Sequence, residues 1–310
     1  MAFALAGLFV YASLSFAAEE PLPVFQQQKP SSQQAALLQV PSLSWSVLLP
    51  GLELGIAELP ESRSRETGSV FVFLRIDPAK YPFSLHMASE AGASYSLVDW
   101  SLRENLRAGI NASMYLPDNI TSTGYMRKGD VVNNARIGGK LGAFFVAGSR
   151  NETVKAADII ERESEYWRSL LDDYDIVVQN YRLISSAGKV LWSSGGPENS
   201  IAAIAKDVRG RIIFTLCQEP LTAERFALYL KSFPLALKTV MYVEGGAQAG
   251  LFLRLDNVEG TPGNGQVALP GATAIPLSDG VIHIWKGRQN LLKMRGNPHA
   301  ILPNILGVPR

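Results

Sequence analysis

The sequence predicts an α+β fold: a large mixed β-sheet core with flanking helices. Short runs of β-branched and aromatic residues recur through the middle of the chain, and helical patterns separate some of them. One strand, helix and strand follow each other closely enough to form a βαβ unit, whose crossover is expected to be right-handed with parallel strands.

The strands are expected at Val70–Ile76, Ile110–Tyr115, Gly142–Val146, Asp175–Tyr181, Arg211–Leu216 and Thr239–Val243. Ser96-Leu97-Val98-Asp99 has the spacing of a capping box, so a helix is expected to open there and stop at Gly109. A second helix is expected over Ile159–Leu171. The third, Thr222–Phe233, has Ala223, Phe226, Ala227, Leu230 and Phe233 at helical spacing, a Thr222 cap and a Pro234 stop. Arg211–Leu216, this helix and Thr239–Val243 make up the βαβ unit, which places Glu244 at the carboxyl end of a strand.

The chain has 310 residues, 47 % of them hydrophobic, which is enough for a sizeable core. Its 29 Lys and Arg against 28 Asp and Glu give a net charge of +1, and no basic tract recurs to neutralise a row of phosphates. Nucleic acid is therefore not an expected partner. The single cysteine, Cys217, lies in an apolar run, which rules out an intramolecular disulfide and a cysteine-based zinc cluster.

Residues 1–18 are almost all apolar or small and end in the small-x-small pattern Ser15-Phe16-Ala17, as in a secretory leader. The stretch lacks a basic residue before its apolar core, so retention as an anchor is the alternative. At about 17 residues it is at the short limit for crossing hydrocarbon, which needs roughly 20. Export to the periplasm or the medium is expected, with no stable membrane insertion once the leader is cleaved. Residues 19–41, rich in Gln, Ser and Pro, read as a tether. The folded domain is expected over 42–255, and 256–310, rich in Gly and Pro, as a loop-rich extension with one or two strands packed on it.

Candidate chemistry centres on Met241-Tyr242-Val243-Glu244-Gly245-Gly246. A strand that delivers a carboxylate and then breaks into two glycines lets a ligand or another backbone approach, because glycine has no Cβ to exclude it. A tight turn with a solvated Glu is the plainer reading of the same residues.

Four segments resemble the phosphodiester glycosidase family in order and spacing. They are Gly109-Ile-Asn111-Ala-Ser-Met-Tyr115, Gln179-Asn-Tyr-Arg182-Leu-Ile184 with Gly188-Lys-Val190, Ala202-Ala-Ile-Ala205 leading to Gly210-Arg-Ile-Ile213, and Tyr242-Val-Glu244-Gly245-Gly246. The likeness runs from about Val70 to Leu255. It implies an exported hydrolase of sugar 1-phosphodiesters or related envelope and exopolysaccharide linkages, with a glycan or sugar phosphodiester as partner and no cofactor. Residue by residue, it implies that Glu244 corresponds to the family's aspartate before Gly-Gly, Asn111 to its strand-end asparagine, and Gln179 to a polar residue before a product-side loop. Two departures stand out: Glu replaces Asp at 244, and the arginine that usually precedes the third motif is missing from Glu198-Asn-Ser-Ile201. A catalytically inactive glycan-binding or assembly protein is the alternative.

Such a cleavage passes through an oxocarbenium-like state, so it needs a carboxylate near the anomeric carbon and a cation or acid on the departing phosphate. Glu244 is the candidate for the first role and Arg182 for the second, with Arg136 as a substitute. Asn111, Tyr115, Gln179, Gly245 and Gly246 are the candidate sugar contacts. Asn111 also fits a buried turn asparagine, and Gln179 and Arg182 also fit polar edge-strand residues. The histidines His86, His283 and His299 lack metal-ligand spacing, so no metal site is expected. No Gly-x-Ser-x-Gly elbow marks a serine nucleophile.

Overall fold

The computed structural model describes residues 43–59, 70–254, 266–267, 275–276, 281–282 and 300–310. The expected leader and tether, 1–41, lie outside them, as does most of the stretch after Arg254. In chain order the strands are β1 (Leu43–Leu49), β2 (Leu52–Glu58), β3 (Val70–Ile76), β4 (Ser84–Met87), β5 (Tyr95–Ser96), β6 (Leu106–Asn111), β7 (Met126–Lys128), β8 (Val131–Asn134), β9 (Ala143–Ser149) and β10 (Ala157–Glu161). They continue with β11 (Tyr174–Ile184), β12 (Asn199–Asp207), β13 (Ile212–Leu221), β14 (Leu237–Gly245), β15 (Leu251–Arg254), β16 (Gln266–Val267), β17 (Ile275–Pro276), β18 (Val281–Ile282), β19 (Ile301–Leu302) and β20 (Asn304–Pro309). The helices are α1 (Ala88–Ala91), α2 (Leu97–Arg103), α3 (Trp167–Asp172) and α4 (Ala223–Ser232).

Eleven strands form one sheet in the order β1-β2-β3-β13-β12-β14-β11-β7-β8, with β9 pairing β11 and β10 pairing β9. A second sheet has the order β18-β15-β6-β20-β4. The α+β class is as expected. The pairings around β14 are all antiparallel, however: β13 runs antiparallel to β12, and β12 antiparallel to β14. The strands of the βαβ unit, β13 and β14, are therefore parallel to each other but separated by β12.

The largest core lies between the two sheets, where Leu74, Ile204, Phe214 and Met241 of the first meet Leu85, Ile110, Leu251 and Leu306 of the second. The opposite face of the first sheet packs under α4: Phe71, Phe73, Ala203 and Ile213 meet Phe226, Tyr229 and Leu230. The opposite face of the second sheet packs under α2, where Trp100 meets Leu106, Phe252 and Ile305. Both faces of each sheet are covered, which is why β3 reads as the continuous apolar run Val-Phe-Val-Phe-Leu. Within it, Phe71 and Phe73 face the helix while Val72, Leu74 and Ile76 face the other sheet, the two-residue period of a strand.

Local signals placed α4 well. The Thr222 hydroxyl accepts the Arg225 N–H at 3.2 Å, and the helix stops one residue before the Phe233-Pro234 pair. At the start of α2, Ser96 Oγ accepts the Asp99 N–H at 3.1 Å and donates to its carboxylate at 2.6 Å, so Ser96 caps the helix where the sequence placed its start. Its predicted extent to Gly109 is corrected: the helix ends at Arg103, Asn105 turns the chain in a left-handed conformation at φ 49°, and β6 begins at Leu106. The strand expected at Ile110–Tyr115 is β6, displaced toward the N-terminus.

The helix expected over Ile159–Leu171 is also corrected. Residues Ala157–Glu161 form β10, paired along its whole length with β9, and only Trp167–Asp172 is helical. Pairing with β9 outweighs local helical preference, as it does for short apolar runs generally. Beyond Arg254, β20 is not laid over the surface. It lies between β6 and β4, with Ile305, Leu306 and Val308 buried.

Candidate functional site

Glu244 closes β14. Its backbone partner on β12 is Ala202, while Tyr242 partners Ala203, so Val243 is an extra residue in a β-bulge just before the carboxylate. Bulges turn a strand and re-aim the side chains beside it. Glu244 is only 8 % exposed, and among the described residues its sole hydrogen-bond donor is the N–H of Gly245, at 2.9 Å to Oε1. Burial raises its carboxyl pKa to about 7, and the Gly245 bond opposes that rise.

Two phenols share this environment. The hydroxyls of Tyr242 and Tyr115 are both held above their usual pKa, first by burial and then by the nearby charge of Glu244. Both therefore stay protonated at neutral pH and can donate. Tyr115 lies just beyond β6, where a bridge to Ser122 closes a short hairpin loop.

The glycines allow this crowding. A Cβ on Gly245 would overlap the Tyr242 hydroxyl, and Gly246 has φ +74°, a left-handed conformation that a side chain strains. Gly246–Gln248 then forms a single 3-10 turn leading to β15. Trp192 stacks on Tyr242 with ring centroids 5.5 Å apart, and Tyr181 meets Trp192 edge-on at 5.6 Å. The Trp192 indole N–H donates to the Arg182 carbonyl at 3.2 Å, which orients the ring.

Asn111 supports the turn from the second sheet. Its Nδ2 donates to the Gln248 carbonyl at 2.9 Å and its Oδ1 accepts the Gly250 N–H at 2.8 Å. The residue is 1 % exposed, so its amide is used in shaping the backbone that follows Glu244-Gly245-Gly246. Gln179 is wholly buried and also fully bonded. Its Oε1 accepts from Gly138 N at 2.8 Å and Tyr125 N at 3.2 Å, and its Nε2 donates to Leu141 O at 2.8 Å and Gly138 O at 3.0 Å. It pins the 138–141 loop to β11.

Arg182 is held by carboxylates, with Nη1 at 2.9 Å from Glu161 and 2.7 Å from Glu163. Its backbone lies opposite Met241, three residues before Glu244. Neither a hydrogen bond nor an ion pair joins it to Glu244. Arg136 is exposed on the segment after β8.

The structure thus gathers Glu244, Tyr115, Gly245 and Gly246 in one place, with Asn111 behind them, and leaves Gln179 and Arg182 in other networks. It adds Tyr242. Asn180 is wholly buried, donates to the Ala112 carbonyl at 2.8 Å, and leaves its Oδ1 without a partner among the described residues. Tyr242 was within reach of sequence reasoning, two residues before Glu244. The bulge that brings the two side chains together leaves no local pattern.

In comparisons with known proteins, no family model and no curated protein matches the chain. Solved structures do share its fold. The catalytic domain of zebrafish N-acetylglucosamine-1-phosphodiester alpha-N-acetylglucosaminidase, auto-inhibited by its pro-peptide, superposes with a TM-score of 0.56 at 12 % identity. That match covers 93 % of this chain and 97 % of the zebrafish domain. A hypothetical protein from Synechocystis superposes with a TM-score of 0.54 at 12 % identity, covering 86 % of this chain and 64 % of that one. The chain therefore spans somewhat less than two thirds of the Synechocystis protein. No helix among the described residues is long and apolar enough to cross a membrane.

Proposed function

We propose that the protein is an exported hydrolase of the phosphodiester glycosidase type, cleaving a sugar 1-phosphodiester or a related envelope linkage, with Glu244 as its essential carboxyl group. The observation that carries this reading is a buried carboxyl with its pKa raised to about 7, presented at a bulged strand end that opens into two glycines.

Near neutral pH such a group populates both protonation states. The ionised form stabilises positive charge at the anomeric carbon, and the protonated form donates to a departing oxygen. Tyr115 and Tyr242, both kept neutral, are placed to donate to sugar or phosphate oxygens. Asn111 acts behind them, as a positioning residue that sets the course of the glycine turn. In this reading the two tyrosines serve the phosphate, while Arg182 is paired with Glu161 and Glu163.

The test is hydrolysis of an N-acetylglucosamine 1-phosphodiester by the purified chain, compared with Glu244→Gln. A loss of about 10²-fold or more is expected for a residue working as general acid or base. Unchanged turnover removes Glu244 from the mechanism. The engagement of Arg182, Asn111 and Gln179 within the protein favours a second reading, a glycan-binding protein without turnover. That reading predicts saturable binding, no product, and little change on Glu244→Gln.

A further inference from the structure

A second group of reactive side chains lies in the other sheet, on residues that the Glu244 site does not use. Ser84 and His86 are two apart on β4 and so share a face of the strand. Ser84 Oγ is 2.9 Å from His86 Nε2, and His86 Nδ1 is 3.3 Å from Glu104 Oε2. Glu104 comes from a different element, as the residue that caps the C-terminus of α2. Hydroxyl, imidazole and carboxylate thus stand in the order of a nucleophile, its base and the group that orients the base, each on the ring nitrogen that role requires.

The surroundings fit the same use. Ser84 and His86 are each half-buried. Gly307 lies opposite Ser84, and a Cβ there would come within 3.1 Å of Ser84 Oγ, so glycine keeps room around the hydroxyl. The Ala88 N–H bonds to Pro303 across the β4–β20 ladder. By the alternation of an antiparallel ladder, Ser84 and His86 also point their N–H groups at β20, while Leu85 points its own off the outer edge. A backbone N–H directly after the nucleophile is the usual first donor to an oxyanion.

We propose that Ser84, His86 and Glu104 form an acyl-transfer site that hydrolyses carboxylic esters. Ser84 Oγ bonds to the acyl carbon as its proton passes to His86 Nε2, and the Leu85 N–H faces the developing oxyanion. The carbon–oxygen bond to the alcohol then breaks, and the alcohol leaves with the proton from Nε2. Water attacks the acyl-serine by the same relay, releasing the carboxylic acid and restoring Ser84. Burial lowers the pKa of His86, opposed by the charge of Glu104, lowered further by Lys128 and raised by Glu90, and a neutral imidazole is the form that accepts the proton. The proposal is independent of the Glu244 reading.

The test is covalent labelling of the full chain by diisopropyl fluorophosphate, with peptide mass spectrometry to locate the adduct and near-ultraviolet circular dichroism to confirm the fold of each variant. One adduct on Ser84 is expected, absent in Ser84→Ala and formed about 10²-fold or more slowly in His86→Gln. If His86→Gln does not fold, the same rate is read in Glu104→Gln, where slowing of at least about tenfold is expected. No adduct on Ser84 in the folded wild-type chain, or an unchanged labelling rate in the folded relay variant, overturns the proposal. So does hydrolysis of 4-nitrophenyl acetate at the wild-type rate by Ser84→Ala.

Discussion

Asn111 Oδ1 accepts the backbone N–H of Gly250 at 2.8 Å, joining the end of β6 to the turn that leaves β14. With the bond from its Nδ2 to Gln248, one buried side chain ties a strand of the second sheet to the segment that carries the chain over from the first. The course of the backbone after Glu244 is therefore set from 130 or so positions upstream, and each side of this link is open to mutation.

Asn111→Ala leaves the buried Gly250 N–H without its partner, a cost of roughly 1–3 kcal/mol, and frees the part-buried Gln248 carbonyl. Chemical denaturation is expected to show a loss of that size. Glycan turnover or binding should fall with it, since the glycine turn loses its support. Full activity in a folded Asn111→Ala chain would mean that the turn holds its shape unaided.

Glu244 makes stability depend on pH with a definite sign. Its folded pKa, about 7, stands above the ordinary value of 4.5, so between those pH values the native state holds the proton more tightly than the unfolded chain. The stability this contributes is fully present below the unfolded pKa and is lost as pH rises through 7. Relative to Glu244→Gln, wild type should weaken between about pH 4.5 and 7 by an amount on the order of a few kcal/mol at most. A flat difference across that range, measured by urea midpoints, would contradict the burial of the carboxyl.

Gly245→Ala places a methyl group where the Tyr242 hydroxyl now sits, so one of them must move. A cost of about 1–3 kcal/mol is expected, typical of overpacking. Removing the hydroxyl should return part of it, so the double variant Gly245→Ala with Tyr242→Phe is expected to be more stable than the two single effects predict. A thermodynamic cycle over the four proteins measures this coupling.

Phe226 is wholly buried where α4 meets the first sheet, with its ring 5.2 Å from that of Phe71. Phe226→Ala should cost about 3–5 kcal/mol by opening a cavity beneath the helix. The loss is expected as a fall in thermal midpoint, measured by thermal denaturation.

Legibility followed the range of the interactions involved. Both caps involve neighbours three residues apart, Ser96 with Asp99 and Thr222 with Arg225, and both could be read directly. Val70–Ile76 could be read because burial on both faces leaves an unbroken apolar run. Ile159 and Ile160 could not, because their strand exists only through pairing with β9, and β20 could not because its partners β6 and β4 lie some two hundred residues away. At the site, Glu244 and its glycines stood out on local grounds. The same residue types at Gln179 and Arg182 gave no sign that loop carbonyls and the carboxylates Glu161 and Glu163 would take them up.

The amino-acid sequence by itself determined an α+β chain, the helix between two parallel strands, and a carboxylate set before two glycines at a strand end. Those features rest on side-chain periodicity and on contacts within a few residues. Tertiary structure alone decided that Glu244 is dehydrated and shifted toward neutrality, that Asn111 props the turn behind it, and that Ser84 and His86 meet Glu104. Desolvation and hydrogen bonding between distant segments arise only when both sheets are assembled, so no local stretch of sequence carries them.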